Sequence, residues 1–267
     1  MLHTSIVPLV ALFSLFVIGL PIFAHSWNRR GKPKTERIQR AGGSFLLSTW
    51  LMEYGYWFMN VPARGFVKLG FSPDVVTLIG LAVILGGSVS TGCGFFGLGG
   101  WFLVIGSMLD AMDGMVARAQ GRSSDAGEFL DAVVDRYAEV FTYIGFIYYM
   151  DEVWWSLGGV LAALLGSLMV SYVRAKAEAL GVDAPSGIMR RHERALYIGV
   201  GTAMAPVVAH FTEPGNNHPY YFLTVGTLWL VGLLANYSAF RSILFVRRAL
   251  IAKREAERAA ERAAKAA

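Results

Sequence analysis

The stretch "SMLDAMDGMVARAQGRSSDAGEFLDAVVDR", Ser107 to Arg136, sets four aspartates, Asp110, Asp113, Asp131 and Asp135, into two otherwise apolar segments joined by a polar turn. Asp110 and Asp113 are three residues apart, and Asp131 and Asp135 four, so each pair occupies one face of a helix within about one turn. The turn "GRSSDAG" is short enough to make the two helices antiparallel neighbours, which brings the pairs opposite each other. An ionised carboxylate in or near a bilayer costs several kcal/mol unless it is paired or coordinates a metal, so four together mark a site. Arg118 and Arg136 cannot neutralise four negative charges at that range. Divalent cations can.

All the candidate ligands are oxygens, and no Cys or His stands beside them. That donor set selects a hard ion, Mg²⁺ or Mn²⁺, over zinc. Such ions complete their shells with substrate phosphates, and a pair of them is the usual clamp for in-line attack at phosphorus. Gly114 and Ala117 strip side chains from the helix face beside Asp113, which lets a flat or phosphorylated group reach the backbone, and Arg118 offers a forked donor for phosphate oxygens. Two other readings use the same carboxylates: an ion or proton pathway through a transporter, and a purely structural polar cluster. The second lacks enough balancing positive charge.

Outward from this segment the 267-residue chain is 55% hydrophobic, a composition of membrane proteins. Apolar runs lie at about 4–25, 75–95, 98–117, 126–150, 154–173, 195–211 and 219–246, each close to the ~20 residues a helix needs to cross the hydrocarbon. Seven spans are expected. The intervening "GGSFLLSTWLMEYGYWFMNVPARGFVKLGF", residues 43–70 and just beyond, is aromatic-rich and reads as a helix in the interface plane, broken at Pro62. The single Cys93 excludes an intramolecular disulfide framework.

All 24 Lys and Arg residues fall on one side of this arrangement, and the loops "STGCGFFGLGG", "YMDEVWW" and "HFTEPGNNHP" contain none. Positive charge is retained in the cytoplasm, so the N-terminus is expected outside, the C-terminus and the aspartates inside. The net charge of +5 lies beside spans, which favours anionic headgroups and phosphorylated substrates over nucleic acid. The first apolar run has no basic residues before it and a basic cluster after it, which marks an anchor instead of an export signal. The organisation expected is an added span with a basic linker over 1–42, a membrane domain over 43–248, and a charged helix over 249–267.

The segment Asp110 to Asp135 resembles the signature of the CDP-alcohol phosphotransferase family, D-x2-D-G-x2-A-R-x8-G-x3-D-x3-D. Asp110, Asp113, Gly114, Ala117, Arg118, Gly127, Asp131 and Asp135 satisfy every fixed residue and every gap. The resemblance implies an all-α fold: a six-span core with an amphipathic interfacial helix, and here one extra N-terminal transmembrane helix. "LGFSPDVVTLIG", "SYVRAKAEALG" and "GIMRRHERAL" extend the likeness, over roughly residues 65–245, to the phosphatidylinositol phosphate synthases within that family.

That likeness implies transfer of a phosphatidyl group from CDP-diacylglycerol to an alcohol, most closely inositol 1-phosphate, with release of CMP. Asp110, Asp113, Asp131 and Asp135 are then expected to hold two Mg²⁺ or Mn²⁺, with Asp135 also the base. Gly114, Ala117, Arg118, Gly127 and Asp113 are expected at the nucleotide. Asp74 either closes that site or caps its helix. Arg174, Arg194 and Arg241, with Arg191 nearby, match the cations that bind the acceptor's phosphate. Arg174 stands where such synthases usually carry Lys, which keeps the charge but changes donor geometry. Glycerol 3-phosphate or an unphosphorylated alcohol such as serine are the alternative acceptors. The family relation further implies a homodimer in a prokaryotic inner membrane, in contact with membrane lipids.

Overall fold

The computed structural model of the chain describes residues 2–29, 49–185 and 187–266. Among them are eight helices: α1 (Leu2–Arg29), α2 (Thr49–Lys68), α3 (Pro73–Gly92), α4 (Phe96–Gln120), α5 (Asp125–Met150), α6 (Trp154–Ala179), α7 (Arg191–Thr212) and α8 (Phe222–Ala266). Each apolar run expected to span has become one of these helices. Helices α3, α4, α6, α7 and α8 are long and apolar enough to cross a membrane. At 26 residues α5 has the length, but Asp125, Glu128, Asp131, Asp135, Arg136 and Glu139 crowd its first 15 residues with charge. The site thus lowers the apolarity of the helix that carries it. The first expected span coincides with α1; most side chains of its first half, and residues 30–48 of the linker and of the expected interfacial segment, lie outside the described residues.

Helices α3 to α8 pack as a closed ring in the order α3, α4, α7, α8, α6, α5 and back to α3. Lipid offers little hydrophobic drive between helices, so close approach depends on small residues at the crossings. Gly100 of α4 lies against the backbone of Ala203 and Gly199 on α7, where a Cβ would collide. Gly145 of α5 does the same against Ser88 of α3. Phe96, Phe146, Val160, Leu228 and Val231 fill the ring away from the aspartates.

Helix α2 runs through Pro62 without ending, so the break expected there is not present. Pro62 follows 13 residues of helix already formed and is exposed, and its missing N–H removes only one bond of the ladder, while Met59, Ala63 and Phe66 around it pack with Leu109, Met112 and Val116 of α4. Tyr54 is fully buried between α1 and α2, its hydroxyl donating to the Phe16 carbonyl at 2.5 Å beside the space left by Gly19. Its ring meets Phe16, Phe23, Trp50 and Trp57. Helix α8 continues unbroken past residue 248. Its 45 residues give about 67 Å at 1.5 Å each, twice the ~30 Å hydrocarbon core. The charged tail is an extension of the last span.

Candidate metal and nucleotide site

The polar turn brings the aspartates together through ordinary capping chemistry. Gly121 takes φ +65° after α4, and the Arg122 N–H returns to the Ala117 carbonyl at 2.9 Å, which closes that helix. Ser124 then starts α5 by accepting from the Gly127 N–H at 3.2 Å. Only residues 121–124 separate the helices, and carboxylate oxygens of Asp110, Asp131 and Asp135 come within 4.8 Å of one another. Asp135 is buried, and its Oδ1 accepts no hydrogen bond among the described residues. Asp113 is also buried, with its carboxylate accepting from the Thr77 hydroxyl of α3 at 2.6 Å and from the Gly114 N–H.

The residues expected around a nucleotide flank this cluster. A Cβ on Gly114 would lie 3.3 Å from Arg118 Nη1, so the bare glycine lets the guanidinium lie along the helix. Asp74 is exposed in the first turn of α3, and its Oδ1 lies 3.9 Å from where Gly127 would carry a Cβ. The capping alternative for Asp74 is not realised: Ser72 is the N-cap, accepting from the Val75 N–H at 3.4 Å. Gln120 Nε2 donates to the Phe71 carbonyl at 2.8 Å, which ties the end of α4 to the segment leading into α3. Ala117 is half-buried one turn beyond Gly114.

The arginines take four different situations. Arg191, at the start of α7, donates from Nη2 to Asp110 Oδ1 at 2.9 Å and from Nη1 to both Asp110 Oδ2 at 3.2 Å and Asp135 Oδ2. Arg194, one turn on, is 2% exposed and donates to Glu139 Oε1 at 2.9 Å, to the Met189 carbonyl at 3.3 Å and to the Ser167 carbonyl at 3.4 Å. Arg174 is exposed at the end of α6, paired with Glu178 at 3.2 Å. Arg241 is exposed on α8. Arg191 and Arg194 share a cavity of about 50 Å³ inside the helix ring with Ser107, Glu139 and Thr142.

Residues 71–235 match the family model described as CDP-alcohol phosphatidyltransferase, a region covering all six ring helices in whole or in part. The chain belongs to the CDP-alcohol phosphatidyltransferase family. It is a membrane transferase of phospholipid synthesis. Similar proteins include the phosphatidylinositol phosphate synthase of Mycobacteroides abscessus, 34% identical over 148 residues that make up 53% of this chain and 66% of that protein. The synthase of Cutibacterium acnes is 35% identical over 52% of this chain and 69% of its own length. An archaetidylinositol phosphate synthase of Methanothermobacter thermautotrophicus is 34% identical over 51% and 68%. The chain thus spans about two thirds of the length of these relatives. Among solved structures, the Mycobacterium tuberculosis phosphatidylinositol phosphate synthase with CDP-DAG bound superposes with TM-score 0.60 at 23% identity, over 70% of this chain and 92% of that one. A second structure of that synthase, in complex with manganese and citrate, has the same TM-score. These likenesses show the shared fold.

A divalent ion fits this phosphatidyltransferase on its own chemistry. The donors are all carboxylate oxygens, three converge, and Asp135 keeps an unpartnered buried oxygen. Two further residues of the site were not singled out in the sequence. Glu139 continues the four-residue spacing of Asp131 and Asp135 and was legible on that ground, whereas Thr77 reaches Asp113 across 36 residues and carries no local signal. Substituting Thr77→Val removes the hydroxyl from Asp113 with little change of shape. Outer partners of metal ligands typically contribute 10–100-fold to affinity, so Mn²⁺ half-saturation is expected to rise at least about tenfold. Electron paramagnetic resonance of free Mn²⁺ measures it; an unchanged titration would make Thr77 a packing residue only.

Proposed function

We propose that this chain transfers the phosphatidyl group of CDP-diacylglycerol to inositol 1-phosphate, releasing CMP. One observation carries the reading: the carboxylates of Asp110, Asp131 and Asp135 converge beside a cavity lined by the guanidinium groups of Arg191 and Arg194. That places an oxygen cluster suited to a cation-bound diphosphate next to cationic donors suited to a second phosphate. The similarity to phosphatidylinositol and archaetidylinositol phosphate synthases supports the acceptor class.

In this reading an acceptor hydroxyl oxygen bonds to the phosphorus that bears the lipid, and the bond from that phosphorus to the CMP oxygen breaks. CMP leaves with the electron pair. The hydroxyl proton passes to Asp135, whose Oδ1 accepts no hydrogen bond among the described residues. Two Mg²⁺ or Mn²⁺ ions held by Asp110, Asp113, Asp131 and Asp135 would neutralise the diphosphate and the departing CMP. Arg118 binds diphosphate oxygens across Gly114, while Asp74, Ala117 and Gly127 border the cytidine. Thr77 keeps Asp113 turned into the site.

Arg194 and Arg191 serve the acceptor's phosphate from inside the ring, and Arg174 and Arg241 attract it from the rim. The distribution of basic residues supports an outside N-terminus and a site facing the cytoplasm, and the similarity to bacterial synthases supports a prokaryotic inner membrane; the chain is taken to act there as a homodimer. The test is CMP release by purified protein with Mg²⁺ and CDP-diacylglycerol across a panel of acceptors. Release is expected with inositol 1-phosphate. Release with glycerol 3-phosphate or serine, and silence with inositol 1-phosphate, would overturn the acceptor and keep the chemistry.

A further inference from the structure

We propose that Arg191 is a resident counter-cation of the metal site, which holds Asp110 and Asp135 together before a divalent ion binds and gives them up to it. The proposal rests on the reading of the carboxylates as metal ligands and adds a competitor built into the chain. Its basis is where the guanidinium sits. Both terminal nitrogens contact Asp110, and Nη1 also contacts Asp135, so Arg191 engages two of the three residues whose oxygens converge. A metal ion and this guanidinium claim the same lone pairs, and both cannot hold them in the same geometry.

Arg194 shows by contrast what a fixed arginine looks like in the same helix. It is sealed at 2% exposure and bonded to a carboxylate and two backbone carbonyls. The Arg191 side chain keeps 30% of its surface, and among the described residues its side-chain hydrogen bonds run to the two aspartates. It also borders the cavity containing Glu139 and Thr142, so released from the aspartates it has polar groups to move toward. There it stands beside Arg194, whose Nε lacks a hydrogen-bond partner among the described residues. Two guanidinium groups then face one space, a pairing that suits the dianionic phosphate of an acceptor. Metal binding at the aspartates thereby completes the cationic pocket on the acceptor side.

The experiment is Mn²⁺ binding to detergent-purified protein, with neither lipid nor acceptor present, in wild type and Arg191→Gln. Loss of the competing guanidinium is expected to tighten Mn²⁺ about tenfold. Metal-free Arg191→Gln is expected to melt below metal-free wild type because its aspartates then repel, while the Mn²⁺-loaded proteins melt alike. Equal or weaker Mn²⁺ binding by the variant would overturn the proposal. Absence of Mn²⁺ binding by either protein would overturn the metal site with it, whereas the acceptor panel has no bearing on this titration. A wild-type measurement guards against a variant that misfolds: with ¹⁵N-labelled arginine, Mg²⁺ should displace one guanidinium resonance set, and unmoved spectra would also overturn the proposal.

Discussion

Asp135→Asn is expected to lower CMP release by about a thousandfold or more while CDP-diacylglycerol still binds. A positioned general base contributes typically 10²- to 10⁴-fold, and an amide cannot take the proton. Asparagine is nearly the same size, so the buried position on α5 keeps its packing, and its carbonyl oxygen still accepts from Arg191. Asp110, Asp113 and Asp131 remain to hold the cation through which the diphosphate binds. Single-turnover CMP release measured beside equilibrium binding of the donor separates the two effects. Near-normal turnover would remove Asp135 from the base role, and loss of donor binding in step with turnover would make it a metal ligand first.

The second large effect belongs to Arg194→Ala. Removing one partner of a buried ion pair costs ~3–5 kcal/mol because the other charge stays buried without compensation. Glu139 keeps Arg136 at 2.7 Å, so the loss is expected near the lower end of that range, still enough to lower the melting temperature in detergent by several degrees. Arg194→Met with Glu139→Gln together should recover most of that stability, since the orphaned carboxylate is gone. The acceptor KM should stay raised in the double variant if Arg194 also binds the acceptor's phosphate. A wild-type melting temperature in Arg194→Ala would show that this pair does not hold α5 against α7. A wild-type acceptor KM in the double variant would remove Arg194 from the acceptor pocket.

The two roles considered for Arg194 show where sequence reading stops. "GIMRRHERAL" offers Arg190, Arg191 and Arg194 within five positions, all of which read equally well as flanking positive charge or as phosphate ligands. The helix phase of α7 separates them: Arg194 points into the ring toward Glu139, while Arg191 reaches across to Asp110 and Asp135. Those partners are 55 to 81 residues away, so no local pattern announces them. Thr77 escaped for the same reason. Glu139 was visible as the next step after Asp131 and Asp135.

Local chemistry alone determined the spans, the tight turn that joins α4 to α5, and the gathering of acidic oxygens at their junction; the direct antiparallel packing expected of those two helices is not realised, because α3 lies between them in the ring. Helix period, cap residues and apolar length all act within a few turns of chain. The tertiary structure decided which cations face those oxygens and which are sealed away. Opposite charges taken out of water must meet within hydrogen-bonding distance, and only the closure of the helix ring determines which distant side chains can do so.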